Sequence, residues 1–134
     1  MSRIISTFVL SLVFFNVHAF WIEVTTTKNG TFYIDRLSFK WFGDVVQIKM
    51  LFDLHEFRKN HIQKLENSRT TINEYDCNEI KSRILEMNLY SDHMGKGMLL
   101  KNIKSPTKWT DEIAGSAGIR VLQIVCNDRR LYIN

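Results

Sequence analysis

Two cysteines, Cys77 and Cys126, are the residues of this chain whose chemistry needs explaining first. They could form a disulfide, bind a metal, act as a nucleophile or lie buried as free thiols. Their spacing matches no zinc-binding pattern and contains no C-x-x-C motif. No histidine lies near either cysteine in the sequence, so the base that a thiolate nucleophile needs is not apparent. The sequence therefore favours a disulfide, with two buried thiols as the alternative.

The histidines beyond residue 19 are His55, His61 and His93. The first two are not spaced to share a helix face as metal ligands, and neither lies in a cluster with cysteines or paired acids. Asp92 and His93 are adjacent, and adjacent side chains of an extended chain point apart, which disfavours an acid–base pair. We therefore expect no catalytic residue, no metal and no cofactor. A small hydrolase that uses His61 or His93 with a carboxylate is an alternative.

Gly95, Gly97 and Asp35 are interpreted as structural residues without a chemical role. Gly95 and Gly97 flank a lysine, and a phosphate-binding loop would need a helix N-terminus behind it, so these glycines predict a turn. Asp35 lies by alternation on the strand face of Tyr33 and Leu37. A carboxylate that faces the core needs hydrogen-bond partners, so Asp35 is predicted to brace the strand or to be exposed.

The first 19 residues have the form of a secretory signal peptide. One arginine precedes a largely apolar run of 12 residues from Ile4 to Phe15, and small residues follow at positions 17 and 19. The run is shorter than the roughly 20 residues that a membrane-spanning helix needs. We expect cleavage after Ala19, a single domain over residues 20–134, and a location in the periplasm, at the cell surface or outside the cell. Phe20 would then be the first residue, so no lipid-modified cysteine is expected there.

The charge of the chain is mildly basic. Loss of the signal segment removes Arg3 and no acid, so the formal net charge falls from +4 to +3. The charges alternate in sign, as in "HEFRKNHIQKLENSR", and do not form the basic face typical of nucleic-acid binding. No run after the signal segment could span a membrane. Export also supports the disulfide, because cysteines tend to pair in an oxidising compartment.

Most of residues 21–104 are predicted to form β-strands. Asn29-Gly30, between "WIEV" and "TFYIDRLSFKW", predicts a hairpin. The alternation of "VVQIKMLFDL" predicts a half-buried antiparallel strand, with Leu51 as the exception to the apolar face. Residues 55–67 are predicted to be a polar connection with some local helix. Strands are then predicted in "SRTTINEYDC", in "SRILEMNLYS" with Leu85, Met87 and Leu89 on one face, and in "MLLKNIK".

The C-terminal segment is predicted to be a helix. Ser116 is a plausible N-cap, and Ile119, Leu122 and Cys126 follow on one helical face. The β-branched residues of "IRVLQIV" make a strand the competing prediction. The predicted fold is therefore α+β: an antiparallel sheet of about five to six strands covered by a C-terminal α-helix, with one disulfide joining the two layers.

Aromatic residues are dense between positions 20 and 42, and most of them should belong to the core. Trp41 and Phe42 lie near the end of a predicted strand, where exposed aromatic side chains could anchor a protein partner. Lys59, Lys64 and Arg69 follow, and exposed charges steer encounter more than they set affinity. These five are the candidate partner-binding residues, with contact through a strand edge or the aromatic patch.

Several short motifs follow one another in a recognisable order. They are "WIEV", "YID", the strand "VVQIKMLFDL", "YDC", "MGKGM", Trp109, Gly115-Ser116 and Val125-Cys126. This series resembles the bacterial surface-adhesin protein E family of small exported domains, and it covers residues 21–126. The resemblance implies an antiparallel sheet covered by a C-terminal helix, with the two cysteines bridged.

The resemblance also implies a role in protein binding. The best-known member of that family is a surface lipoprotein that dimerises and binds host extracellular proteins such as vitronectin, laminin and plasminogen. The family's vitronectin-binding stretch is rich in basic residues, whereas here Lys64, Arg69, Lys81 and Arg83 are interspersed with acids. We expect a non-enzymatic, exported protein-binding domain, with matrix or serum proteins as partners and a homodimer as one state. A periplasmic inhibitor or accessory module that probes an enzyme with residues 55–69 is the alternative.

Overall fold

The computed structural model describes residues 20–59 and 65–132, so the predicted signal peptide lies outside the described residues. One antiparallel sheet in the order β1-β2-β3-β4-β5-β6, with β7 also paired to β5, accompanies a C-terminal helix. The elements are β1 Trp21–Thr27, β2 Gly30–Phe42, β3 Val45–Lys59, β4 Leu65–Asp76, β5 Lys81–Tyr90, β6 Leu99–Ile103, β7 Thr110–Asp111 and α1 Ala117–Tyr132. The α+β prediction is confirmed, and the two-residue β7 makes the sheet seven-stranded.

The β1–β2 hairpin forms at the predicted turn, with Thr27 opposite Gly30. The hydroxyl of Thr27 accepts a hydrogen bond of 3.2 Å from the amide of Asn29 and so closes the turn. Gly30 is needed at this position because a Cβ there would overlap the carbonyl of Asp53 on β3. The close approach of two backbones therefore explains the glycine.

The alternation along β3 is confirmed, and its exception marks the second face of the sheet. Val46, Ile48 and Met50 face α1 and are almost completely buried. Leu51 points to the other face and is equally buried, because Gly95 of the turn after β5 packs over it. The helix therefore covers one face of the sheet, and the turn at residues 93–97 covers part of the other.

The prediction of a polar connection over residues 55–67 is wrong for most of its length. β3 continues to Lys59, β4 begins at Leu65, and these two residues pair with each other. His55 and Glu56 are exposed although they lie within β3. A strand segment made of polar residues lacks the alternation of apolar and polar side chains, so its sequence resembles that of a loop. Residues 55–59 and 65–69, which the inhibitor hypothesis uses, belong to β3 and β4, and residues 60–64 between them lie outside the described residues, so that hypothesis stays a prediction.

A β-bulge corrects the predicted face of β5. Ile84 pairs with Asn73 and Glu86 with Ile72, so Leu85 is an additional residue between them. The pairing puts Met87 on the same face as Ile84, and Leu85 does not share it. A bulge reverses the phase of an alternation, and a sequence pattern of period two cannot reveal where this happens.

The C-terminal helix begins as predicted. The amide of Ile119 donates a hydrogen bond of 3.1 Å to the hydroxyl of Ser116, which is the N-cap interaction. The competing strand prediction is wrong. The helix buries Val121, Leu122 and Val125 against the sheet, and these residues join the core formed by Ile34, Val46, Ile48, Met50 and Tyr75.

The two cysteines form the predicted disulfide. The Cα atoms of Cys77 and Cys126 lie 5.7 Å apart, and both residues pack against the core. Cys77 opens the turn after β4, where its amide donates a 2.9 Å hydrogen bond to the carbonyl of Asp44. The disulfide therefore fixes α1 to one end of the sheet.

We predict that Cys77→Ser lowers the free energy of unfolding by about 4 kcal/mol, because the disulfide closes a loop of 49 residues and so restricts the unfolded chain. Urea titration of oxidised protein is the measurement. The variant with both cysteines replaced should be no less stable than either single variant. Two reactive thiols in denatured protein that was exported to an oxidising compartment and purified without reductant would contradict the disulfide.

Candidate functional site

The structure pairs His93 with an acid that the sequence did not suggest. The Nδ1 atom of His93 lies 3.2 Å from Oδ1 of Asp53, on β3. The same oxygen accepts a hydrogen bond of 2.7 Å from the amide of Met94. Met94 has a φ of 58°, a conformation that is uncommon for a residue with a side chain. Asp53 therefore holds the turn after β5 onto the sheet.

Ser68, which lies near this pair, also holds the turn after β5 in place. Ser68 is fully buried, and its hydroxyl donates a hydrogen bond of 2.5 Å to the carbonyl of Asp92. It also accepts a hydrogen bond of 2.8 Å from the amide of Gly95. A nucleophilic serine needs its proton directed to a base, and this one directs it to a backbone carbonyl. The Asp53–His93 pair is thus best explained as part of the turn.

The other histidine of the hydrolase hypothesis, His61, lies outside the described residues. Within residues 20–59 and 65–132, no cluster of three or more His, Cys, Asp or Glu side chains could hold a metal ion. In the same ranges, no helix has the length and apolar composition required to cross a membrane.

Asp35 is confirmed as a brace within β2. Its side chain is nearly buried, and its Oδ1 accepts a 3.0 Å hydrogen bond from the amide of Leu37. Ser38 donates to the carbonyl of Asp35 and accepts from the amide of Lys49, at 2.6 and 2.7 Å. These bonds close a bulge over residues 36–39, which turns Leu37 outwards so that it is 76% exposed.

Trp41 and Phe42 differ in their surroundings, although they are neighbours in β2. Trp41 is half-buried and packs against the core under α1. Phe42 is 61% exposed at the end of the strand. Successive strand residues point to opposite faces, so one aromatic ring belongs to the core and the other is available to a partner.

Phe42, Ile80 and Ile113 are exposed apolar residues at one end of the sheet, and we call this end, defined by these three residues, the end surface. Strand pairing places the β2–β3 turn, the β4–β5 turn and the segment after β7 at this end. Ile80 and Ile113 are 40% and 72% exposed, and the amide of Glu112 donates a 3.0 Å hydrogen bond to the carbonyl of Ile80. The sequence analysis missed both isoleucines because each stands alone among polar residues.

Ile80 also has an unusual backbone conformation. Its φ is 56°, in the left-handed region that β-branched residues rarely adopt. The turn is held by Asp76, whose Oδ1 accepts hydrogen bonds of 2.9 Å from the amides of Asn78 and Glu79. A strained conformation that presents an apolar side chain to solvent is typical of functional surfaces.

Of the candidate basic residues, Lys59 lies at the opposite end of the sheet and Arg69, which pairs with Phe52, lies near the middle of β4. Lys59 ends β3 and pairs with Leu65, whereas Phe42 pairs with Val45 at the beginning of β3, roughly 45 Å away along an extended strand. Arg69 pairs with Glu66, with 2.7 Å between Nε and Oε1. Lys64 lies outside the described residues. The structure therefore does not bring the aromatic and basic candidates together.

Among the residues that the structure describes, Tyr75 is a titratable group with a strongly shifted pKa. Its phenol is buried and donates a hydrogen bond of 3.4 Å to the sulfur of Met50. Burial raises the pKa of Tyr75 well above its ordinary value, the charge of Glu112 raises it further, and a hydrogen bond with Asn73 lowers it in part. The phenol therefore stays neutral in the folded protein at alkaline pH.

We predict that the protein loses stability above about pH 10, where tyrosine ionises in the unfolded chain but Tyr75 does not in the folded one. The raised pKa stabilises the fold below that pH, and the loss above it should approach about 1.4 kcal/mol per pH unit for this group. Urea midpoints between pH 8 and 11 measure this. Tyr75→Phe should flatten the decline, and Tyr90→Phe, at a partly buried position, is the control. Equal slopes in the wild type and Tyr75→Phe would contradict the assignment.

Comparisons with known proteins support the fold described above. The sequence matches the family described as Surface-adhesin protein E over residues 21–127. No curated protein matches the chain. Crystal form II of Haemophilus influenzae protein E is similar in structure at 14% identity, with a TM-score of 0.68 over 84% of this chain and 91% of that one. Protein E from non-typeable Haemophilus influenzae is similar at 15% identity, with a TM-score of 0.64 over 84% and 78%. With the sheet, the helix and the disulfide in place, the chain belongs to the surface-adhesin protein E family.

Proposed function

We propose that the chain is an exported, non-enzymatic domain of the bacterial cell envelope that binds extracellular proteins of a host. The observation that carries the proposal is the end surface, where Phe42, Ile80 and Ile113 expose apolar side chains. Family membership supports the same role. The aspartate–histidine pair does not favour a hydrolase, because its bonds hold a turn.

The end surface has the properties of a protein contact. Exposed apolar side chains at one end of a rigid sheet lose little conformational freedom on binding, and a buried aromatic ring is a common anchor of interfaces. The backbone of the β4–β5 turn is fixed by the Asp76 hydrogen bonds and by the neighbouring disulfide at Cys77. The partner would therefore meet a preformed surface.

Side-chain contact is favoured over addition of a strand to the sheet. The bulge at residues 36–39 interrupts the part of β2 that extends beyond its pairing with β1. At the other edge, β6 has five residues and β7 has two. Bulges and short edge strands hinder strand addition. A homodimer, if formed, would use the end surface for the same reason.

The basic residues contribute differently under this proposal. Arg69 is already paired with Glu66, and Lys59 lies far from the end surface. Charges at that distance would raise the rate of encounter with an acidic partner and would be screened by salt. They would add little to the affinity of the final complex.

We predict that Phe42→Ala weakens binding by more than about 1 kcal/mol, or at least fivefold, because it removes an exposed anchor. Binding of domain 20–134 to immobilised vitronectin, laminin and plasminogen, with albumin as the blank, would be measured by interferometry. Leu37→Ala is the matched control, since it removes an exposed apolar side chain outside the end surface. Both variants should unfold at the wild-type temperature.

Trp41→Ala separates stability from binding. This variant should lose about 2–4 kcal/mol of unfolding free energy, because Trp41 packs against the core. Lys59→Ala should slow association without changing the dissociation rate. If affinity instead collapsed between 50 and about 150 mM salt while Phe42→Ala had no effect, the contact would be electrostatic and the end surface would not be the site.

A further inference from the structure

A groove lies on the sheet face that packs against α1, beside the first turn of the helix. Its volume is about 550 Å³, within the range of cavities that hold a small organic ligand. Tyr75 and Ser82, which pair with each other, line one end of the groove, and Arg69 lines the other end. Tyr75 and Arg69 are six residues apart along β4, so the groove is elongated and roughly 20 Å long.

The middle of the groove is apolar. Strand pairing places five of its lining side chains on one face of the sheet, namely Phe32, Met50, Phe52, Ile84 and Met87. The rings of Phe32 and Phe52 stack with their centroids 4.3 Å apart. Val121 of α1 also lines the groove. A long apolar groove of this kind suits an extended hydrocarbon chain, and flexible methionine side chains adapt to its shape.

Glu112 places a carboxylate at the end of the groove near the helix. Its Oε1 accepts a hydrogen bond from the hydroxyl of Ser82, and a Cβ on Gly118 would overlap both of its carboxylate oxygens. All three residues line the groove, so the carboxylate lies in the corner between β5 and the first turn of α1. Its charge also reaches the phenol of Tyr75, where it contributes to the raised pKa.

The negative charge of Glu112 has no cation beside it. In the part of the chain that the structure describes, no lysine, arginine or histidine forms an ion pair with Glu112. Arg69, at the far end of the groove, is already paired with Glu66. The N-terminal end of α1 offsets part of the charge of Glu112, and a bound cation would offset the remainder. Such a pair is stronger in apolar surroundings than in water.

We propose that this groove binds a small amphiphilic amine, an ammonium group attached to a single unbranched alkyl chain. The ammonium pairs with the carboxylate of Glu112, and the chain extends along the apolar side chains towards Phe32 and Phe52. An anionic head group would meet Glu112 as a like charge, so an anionic amphiphile fits poorly. The groove does not include the residues of the end surface, and the proposal does not depend on the function proposed there.

The test uses the full chain, expressed with residues 1–19 and purified without detergent, because detergent would compete for the groove. The probe is n-octylammonium, and the methionine methyl groups are labelled with ¹³C. The NMR signals of Met50 and Met87 should shift saturably on titration, whereas that of Met98, 65% exposed outside the groove, should not. The shorter n-hexylammonium should bind about 15-fold more weakly, because each buried methylene group contributes roughly fourfold.

A charge variant separates the ammonium contact from the apolar contact. Glu112→Gln keeps an acceptor for Ser82 but removes the charge. It should bind n-octylammonium at least about fivefold more weakly, and it should bind uncharged n-octanol as the wild type does. Asp111→Asn is the matched control, since Asp111 is exposed on β7 outside the groove, and it should bind both probes normally. The wild type should bind n-octanoate at least about fivefold more weakly than n-octylammonium.

A filling variant tests the location. Thr71 pairs with both Met50 and Met87 and lines the groove, so Thr71→Phe should weaken binding of n-octylammonium and n-octanol alike, yet unfold at the wild-type temperature or above it. Absence of saturable shifts, equal wild-type affinity for the ammonium and the carboxylate probe, or unchanged binding by Thr71→Phe would each overturn the proposal. So would a Glu112→Gln variant that keeps its affinity for n-octylammonium or loses n-octanol to the same extent.

Discussion

The attachment of the C-terminal helix to one face of the sheet is the constraint on which the rest of the structure depends. Val121, Leu122 and Val125 bury the sheet residues Ile34, Val46, Ile48 and Tyr75, which would otherwise face water. A single helix of 16 residues is not stable alone, so it needs this packing as much as the sheet does. The Ser116 cap fixes where the helix begins, and the disulfide at Cys126 fixes its later turns. Gly118, in the first turn, carries no side chain because the carboxylate of Glu112 occupies the space that a Cβ would need.

The turns are the places where this scaffold meets its surroundings. The turn after β5 is drawn onto the sheet by Asp53 and Ser68, and its histidine is thereby assigned to structure. The turn after β4 is fixed equally firmly, by Asp76 and by the disulfide, but it directs Ile80 outwards. Two turns built by the same means, a carboxylate that accepts backbone amides, thus have opposite roles. The two turns differ in what lies behind them. The turn after β5 covers Leu51, an apolar residue of the sheet.

Features governed by local pattern could be predicted from the sequence, and features governed by pairing could not. The alternation of β3, the Asn29-Gly30 hairpin and the Ser116 cap depend on neighbouring residues, and all three are confirmed. The disulfide followed from the number of cysteines and the expected compartment. The bulge at Leu85 and the polar ends of β3 and β4 depend on the partner strand, which no single segment reveals. Asp53 and His93, 40 residues apart, meet because of topology alone.

The disulfide matters particularly in a domain of this size. It closes a loop of 49 residues and contributes about 4 kcal/mol by restricting the unfolded chain. Small domains have total stabilities of about 5–15 kcal/mol, so this one bond is a large share of the whole. It lies at the same end of the sheet as the turn of Ile80, whose backbone is in the left-handed region. A domain that keeps a strained turn beside exposed apolar residues therefore has a physical reason to join its helix to its sheet covalently at that end.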